Sequence, residues 1–371
     1  MTSNVFFESI QKHYTKELPF VVYRKPNTNE VKAMLQNDNV LHCVSDYSES
    51  GFVFTPFDIN RESILLPLNA SEVMSIEDEG HYEDRTISHL LLEPSELEKT
   101  QHLNLVETGI DAITKNEFKK VVLSRCETVR LSEDNPIHFF KRLLNNYPTA
   151  FVYCWYHPKA GLWLGATPET LLNVEGNRFK TMALAGTQKH EGTLDVIWEE
   201  KEKQEQQFVT DFIVESLKEA TNTVNVSNAT TIKAGNVLHI KTKISGTLNS
   251  GLKTILQKLH PTPAVCGMPK QRAKEFIIKN ENYDREFYSG FLGELNLKET
   301  FTRNTNRRNV ENNAYNTVKS VTNLFVNLRC MQLKNNEALI YVGGGITNDS
   351  IPENEWQETI NKTQTIKAVF N

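Results

Sequence analysis

The chain has 371 residues, 39% hydrophobic and 23% charged, the balance of a soluble globular protein with material for one large or two closely joined domains. A formal net charge of −5 without any Lys/Arg run excludes a general polyanion binder and leaves room only for a local cationic pocket. No apolar run approaches the roughly 18 residues of a membrane span. The opening MTSNVFFESIQKHYTKELPF also lacks the basic start and apolar centre of a signal peptide, so a cytoplasmic protein is expected. Cys43, Cys126, Cys154, Cys266 and Cys330 are odd in number and form no CxxC pair, which argues against a disulfide framework and a zinc site.

Residues 1 to about 95 mix a short helix with the strand-like LPFVVYRK and GFVFTPF, then an acidic SIEDEGHYED. SELEKTQHLNLVETGIDAI reads as a longer helix, and the β-branched alternation of KKVVLSRCETVRL reads as a strand. AFVYCWYH and GLWLGA are joined by PKA, and TLLNV-EGN-RFKTMAL has the glycine turn of a hairpin, so these neighbours should pair antiparallel. A helix follows over EKEKQEQQFVTDFIVESL, then a strand at NVLHIKTKISGTL and helices at GLKTILQKL and KQRAKEFIIKN. REFYSGFLGELNL is a further strand, NLFVNLRCMQL-KNNE-ALIYVGGG a further hairpin, and a last helix begins at SIPENEW. Hairpins in groups with helices between them predict an α+β protein on antiparallel sheets, not a doubly wound parallel one. No short-period repeat or low-complexity linker interrupts it.

Two helices carry an oddity. In the helix over 200–217, positions 202, 205, 209 and 212 share one side, so Glu202 and Glu205 extend the stripe that Val209 and Phe212 turn toward a core. In the last helix Ser350 and Glu353 are spaced as a capping box with Pro352 in the first turn, and Glu355, Glu358 and Lys362 again share one side. Taken alone, Glu358 and Lys362 make a surface ion pair worth roughly 0.2–0.5 kcal/mol. Two Glu-x-x-Glu pairs turned inward, however, repel and resist ionisation unless a cation offsets the repulsion. A hard divalent ion such as Mg²⁺, which takes carboxylate oxygens, waters and an anionic substrate group, does that. The spacing is common enough that solvated glutamates remain the alternative.

Further segments offer an acid, a base and anion contacts. In GATPETLL, Glu169 follows Thr167-Pro168 at a strand end, where a side chain can project into a cleft or simply into solvent. Alternation in KKVVLSR puts Lys120 with Val122 and Ser124 on one face and Val121, Leu123 and Arg125 on the other, so one face must bury either Lys120 or Arg125. A buried lysine whose pKa falls toward neutrality can take a proton from water, whereas an edge lysine snorkels outward. Gly343, Gly344 and Gly345 follow a strand and fit neither GxGxxG nor a P-loop; they allow backbone amides close to an anion, or form a bulge or tight turn. Arg329, on the preceding strand of that hairpin, could add a bidentate carboxylate contact. His239 alternates with apolar neighbours, as a satisfied sheet histidine does.

Taken in order, KVVLSR (120–125), GATPETLL (165–172), LAGT (184–187), KEKQEQQFV (201–209), LHIKT (238–242), LHPTPAVCGMPK (259–270), DREFYSGFLGEL (284–295), LFVNLRC (324–330) and YVGGGIT…SIPENEWQET…K (341–362) resemble the chorismate-utilising enzymes, most closely isochorismate synthase. The resemblance spans roughly residues 119 to 365 and implies one chorismate-binding domain over 1–371, with two similar halves around large antiparallel sheets and the site between them. Residues 96–371 would be its catalytic core, and residues 1 to about 95 would complete the sheet of one half.

The resemblance further implies Mg²⁺-dependent conversion of chorismate to isochorismate, with Lys120 as the base that activates water and Glu169 as the acid that protonates the leaving hydroxyl. It makes Glu205 and Glu358 the principal metal ligands with Glu202 and Glu355 beside them. Tyr288, Arg329, the Gly344 and Gly345 amides and Lys362 would meet the substrate carboxylates, and Gly186, Thr187 and His239 would line the ring pocket. Gln206 stands at a histidine-like position, a change expected to adjust binding and not abolish it. Ammonia-using relatives typically lack a lysine at the position of Lys120 and recruit a glutaminase, so water, no glutaminase partner and a monomer or homodimer are expected. Salicylate synthases share that lysine and eliminate pyruvate as well; LAGT and the small Ala264 favour simple isomerisation, in quinone, siderophore or salicylate formation.

Overall fold

A computed structural model describes residues 1–78, 80, 82, 89–90, 94–131, 135–234, 237–301 and 317–370. The acidic SIEDEGHYED stretch therefore lies partly outside the described residues. The strands are β1 (Phe20–Arg24), β2 (Glu30–Gln36), β3 (His42–Cys43), β4 (Gly51–Thr55), β5 (Ile64–Pro67), β6 (Ser71–Glu77), β7 (His89–Leu90), β8 (Lys120–Leu131), β9 (Phe151–His157) and β10 (Gly161–Thr167). They continue with β11 (Thr170–Glu175), β12 (Arg178–Lys189), β13 (Thr221–Val226), β14 (Thr230–Ala234), β15 (Val237–Leu248), β16 (Gly267–Met268), β17 (Phe291–Phe301), β18 (Thr317–Val326), β19 (Cys330–Lys334) and β20 (Glu337–Ile346). The helices are α1 (Ser3–Thr15), α2 (Glu96–Thr114), α3 (Pro136–Asn146), α4 (Glu200–Leu217), α5 (Leu252–Leu259), α6 (Lys270–Asn280) and α7 (Pro352–Lys367).

Two ten-stranded sheets result, one ordered β16-β8-β20-β19-β10-β9-β1-β2-β6 with β7 also on β8, the other β13-β15-β12-β11-β18-β17-β4-β5-β3 with β14 also on β15. The predicted antiparallel hairpins are present: Gly161 pairs with His157 across the PKA turn, and Glu175 with Arg178 across the glycine turn. Aromatic and aliphatic side chains from both sheets, among them Tyr23, Trp155 and Trp163 from the first and Phe52, Phe54 and Phe325 from the second, pack into one buried cluster. Phe54 meets Trp155 edge-on at 5.0 Å between centroids, and truncating such a side chain costs about 3–5 kcal/mol. Helices cover the outer faces, with α1 and α3 in the core of the first sheet and α4 and α5 in that of the second. No described helix is long and apolar enough to cross a membrane.

Three expectations change here. The first 95 residues do not complete the sheet of one half; β1, β2, β6 and β7 join the first sheet and β3, β4 and β5 the second. The supposed single strand from Asn323 to Leu333 is two, because β18 pairs with β17 in the second sheet and β19 with β10 in the first. The chain crosses between sheets at Asn327–Arg329, where Arg329 takes φ 49 and the buried Asn327 amide accepts from Tyr153 Oη at 2.6 Å and donates to Phe287 O at 2.9 Å. On α4 the apolar continuation of the glutamate stripe runs through Val209 and the buried Ile213, with Phe212 only partly buried.

Candidate active site

A second crossing lies beside the first. Pro168 and Glu169 connect β10 of the first sheet to β11 of the second, and the two crossings are stitched by Val326 N to Glu169 O at 3.0 Å, Ala166 N to Arg329 O at 3.1 Å and Thr167 Oγ1 to Val326 O at 2.6 Å. Glu169 and Arg329 are thereby brought into one cavity between the sheets. Its lining also includes Gly186, Thr187, His239, Tyr288 and Gly345, Glu202 and Glu205 from α4, and Glu355, Glu358 and Lys362 from α7. The two glutamate-bearing helix faces thus share one space. Lys120 adjoins it through an ion pair with Glu205, and Gly344 lies just behind the lining.

Strand β8 buries both Lys120 and Arg125, where alternation had required only one of them. The reason is that both faces of β8 are covered there: Lys120 meets Glu205 of α4 on one, and Arg125 lies over Trp356 of α7 on the other. The three glycines form no bulge or turn after a strand; they lie within β20, opposite Ser124, Leu123 and Val122. Val122 N donates to Cys266 O and Ser124 N to Glu281 Oε1, both away from β20, so only the Gly344–Leu123 pair exchanges ladder bonds. The Gly344 amide is thus turned to Leu123, and the amides facing the open edge of β20 are those of Gly343 and Gly345. Gly343 O accepts from Lys362 Nζ at 2.9 Å. Glycine is needed for space: a Cβ on Gly345 would stand 2.9 Å from Lys120 Cε and 3.1 Å from Glu205 Oε1.

The electrostatics differ sharply between acid groups. Burial pushes the Glu169 carboxyl up to about 8, against the pull of the Lys120 and Arg329 charges, so it is mainly protonated at neutral pH. His239 is held neutral, with burial and then Arg329 lowering it to about 4. Its Nδ1–H donates to Gly186 O at 2.9 Å, which leaves Nε2 to accept from Arg329 Nη2 at 3.2 Å. It is thus the satisfied sheet histidine that alternation predicted, and its second bond orients the arginine.

Among the described residues no three His, Cys, Asp or Glu side chains converge closely enough to hold a metal ion as they stand. Glu205 is on Lys120, Glu358 on Lys362 at 2.6 Å, and Glu355 Oε1 accepts from Ser350 Oγ at 2.7 Å. This last bond also removes the expected capping box: the N-cap is Ile351 without a side-chain cap, because the Ser350 hydroxyl serves Glu355. The residues nonetheless fit a hard cation. Glu202 Oε2 is buried without a hydrogen-bond partner, and a Cβ on Gly344 would fill the space 3.2 Å from Glu355 Oε2 and 4.0 Å from Glu358 Oε1. Carboxylate oxygens from two helices, with Gly344 keeping space at the α7 pair and Gly345 at Glu205, are the donor set that such an ion takes.

Several supporting residues escaped the sequence reading. The Arg285–Glu281 pair, at 2.5 Å and almost fully buried, anchors the turn that presents Tyr288, whose N donates to Arg285 O at 2.7 Å. An i, i+4 Glu/Arg spacing was visible, but its burial was not. Gln206, which the sequence marked only as standing at a histidine-like position, bonds Ala183 O at 3.2 Å and Thr242 Oγ1 at 3.0 Å through its Nε2, fastening α4 to the second sheet directly behind its glutamates.

Two facing antiparallel sheets around a cavity with a neutral buried carboxyl and four glutamates, beside a buried lysine, mark an enzyme that takes a small molecule. A family model described as "Chorismate binding enzyme" matches residues 60–301, and a second, "chorismate binding enzyme", matches residues 315–368. The chain belongs to the chorismate-binding enzymes. It is 29% identical over 287 residues to isochorismate synthase EntC of Escherichia coli (strain K12), covering 74% of this chain and 68% of that protein. Anthranilate synthase component 1 of Aquifex aeolicus (strain VF5) is 26% identical over 289 residues, 74% of this chain and 54% of that protein. Among solved structures, a putative 2,3-dihydroxybenzoate-specific isochorismate synthase, DhbC from Bacillus anthracis, shares the fold with a TM-score of 0.76 at 22% identity, over 98% of this chain and 99% of that one.

Proposed function

We propose that this chain is an isochorismate synthase, converting chorismate to isochorismate with Mg²⁺ held by Glu205 and Glu358 and, directly or through water, by Glu202 and Glu355. The observation that carries the reading is Glu169, a carboxyl kept protonated at neutral pH by burial in the cavity that Lys120 adjoins. As water bonds to ring carbon 2, Lys120 takes its proton; the ring electrons shift, the bond from carbon 4 to its hydroxyl breaks, and Glu169 supplies the proton that makes the leaving group water. Lys120 then carries the extra proton and Glu169 lacks one, and exchange with solvent restores both.

Chorismate is a dianion, and a protein of net charge −5 must concentrate positive charge to hold it. Arg329, Lys362 and Tyr288 reach its carboxylates together with the Gly345 amide; the metal, when bound, neutralises the ring carboxylate. Gly186, Thr187 and His239 shape the ring pocket. Lys120 as a base for water requires no ammonia and so no glutaminase partner.

Incubating the purified protein with chorismate and Mg²⁺ and separating the products by chromatography tests the reading. Isochorismate without pyruvate is expected. Pyruvate with salicylate would move the chain to the salicylate synthases, and unconsumed chorismate would overturn the proposal.

A further inference from the structure

Helix α7 carries two stripes. Glu355, Glu358 and Lys362 face the cavity, while Trp356, Thr359, Thr363 and Lys367, each offset from that row, are buried against the sheet. What this second stripe meets is not an apolar surface. Arg125 and Glu127 stand on the face of β8 opposite to Lys120 and are both buried. The Arg125 guanidinium lies over the Trp356 ring at 4.5 Å, donates Nε to Thr359 Oγ1 at 2.8 Å and Nη2 to Glu127 Oε2 at 2.9 Å. Glu127 also ion-pairs with Lys367, near the end of the same helix.

We infer that Arg125, Glu127 and Lys367 are positioning residues that set the axial register of α7 and, through it, the aim of Glu355, Glu358 and Lys362 into the cavity. The inference rests on the proposed roles of those three residues. Apolar stripes tolerate sliding and rotation because their attraction is nondirectional. A guanidinium that must stack on one ring and reach one hydroxyl and one carboxylate allows a single placement. Glu127 is central, since without it two cations would face each other in a buried site, and fixing register is the best-attested use of such a cluster. One strand thereby serves both sides of the reaction: its even face carries Lys120, and its odd face holds the helix that supplies the opposing carboxylates.

The test uses the full chain with Glu127→Gln, Lys367→Met and Lys367→Arg. For the first two, the Mg²⁺ concentration giving half-maximal turnover should rise about tenfold or more. In the same variants, amide hydrogen exchange over Pro352–Lys367 should be about tenfold faster with exchange over Glu200–Leu217 unchanged. Lys367→Arg should restore both. Thr359→Val, which deletes only the hydroxyl that receives Arg125, should give the same two shifts in smaller measure, and decides the matter if Glu127→Gln does not fold. Variants with unchanged α7 exchange and unchanged Mg²⁺ requirement overturn the inference, as does faster exchange spread evenly over both sheets, which marks a merely structural role. If the wild type leaves chorismate untouched, the functional reading fails while the exchange measurement still decides the positioning claim.

Discussion

Glu205 on α4 is ion-paired with Lys120 at the start of β8, so the carboxylate assigned to the metal and the amine assigned to water are joined at one edge of the cavity. In the proposed reading, a bound cation would draw Glu205 away and leave the lysine to its own task. Lys120→Ala should therefore lower turnover about 10²–10⁴-fold, the usual worth of a positioned base, while Mg²⁺ binding measured by calorimetry persists. A variant with near-normal turnover would remove Lys120 from the mechanism.

Glu169 ties both rate and stability to pH. Its proton, held up to about 8, is lost as pH rises through that value, and kcat/KM should fall with it. Because the folded protein binds this proton more tightly than the unfolded chain, in which a glutamate titrates near about 4.3, the associated stability is fully present below the unfolded value and is lost as pH rises through the folded one. Glu169→Gln has no proton to lose. Its turnover should drop about 10²–10⁴-fold. Between about pH 5 and pH 9 its urea stability should gain on the wild type by a few kcal/mol, at about 1.36 kcal/mol per unit. A stability difference that does not change with pH would show that Glu169 titrates normally.

The four glutamates of α4 and α7 should be tested by metal titration. Glu205→Ala and Glu358→Ala are each expected to abolish Mg²⁺-supported turnover and to weaken Mg²⁺ binding by about tenfold or more, with little loss of folding for Glu358→Ala, whose side chain and Lys362 partner are both partly exposed, and a larger loss for Glu205→Ala, which leaves the buried Lys120 without that partner. Full activity at unchanged Mg²⁺ in either variant would disprove the shared metal site.

Gly345→Ala separates space from chemistry. Its Cβ would press first on the Lys120 side chain, which can move, and not on backbone. The variant should melt within a few degrees of the wild type, as a change below about 1 kcal/mol does, yet lose at least about tenfold in turnover through a displaced lysine. Wild-type turnover would show that the glycine is there for other reasons.

Much of the site could be read along the chain because helical period is local. Glu202, Glu205, Glu355 and Glu358 stood out as carboxylates on stripes that ought to turn inward, and they do line one cavity. Alternation in KKVVLSR correctly separated Lys120 from Arg125, yet burial of both depended on α4 reaching one face of β8 and α7 the other, and such partners are not written in a strand's own residues. The break at Asn327 was hidden for a related reason. NLFVNLRCMQL is apolar on both sides of the break, and the turn from one sheet to the other is held by the buried Asn327 amide, which reaches Tyr153 and Phe287 far away in sequence, and by bonds to the neighbouring crossing.

By itself the sequence determined the hairpins, the helix stripes, the absence of a cysteine framework and, through its ordered blocks, the family. These are short-range patterns or the summed likeness of many positions, and neither needs to know how distant segments meet. Tertiary structure alone decided that the two crossings run side by side, that Glu169 is dry enough to keep its proton, that Gly344 gives its amide to Leu123, and that Ser350 serves Glu355 instead of the helix end. Each of these depends on desolvation or hydrogen-bond competition among groups remote in sequence, and such competition is settled only when the chain closes around them.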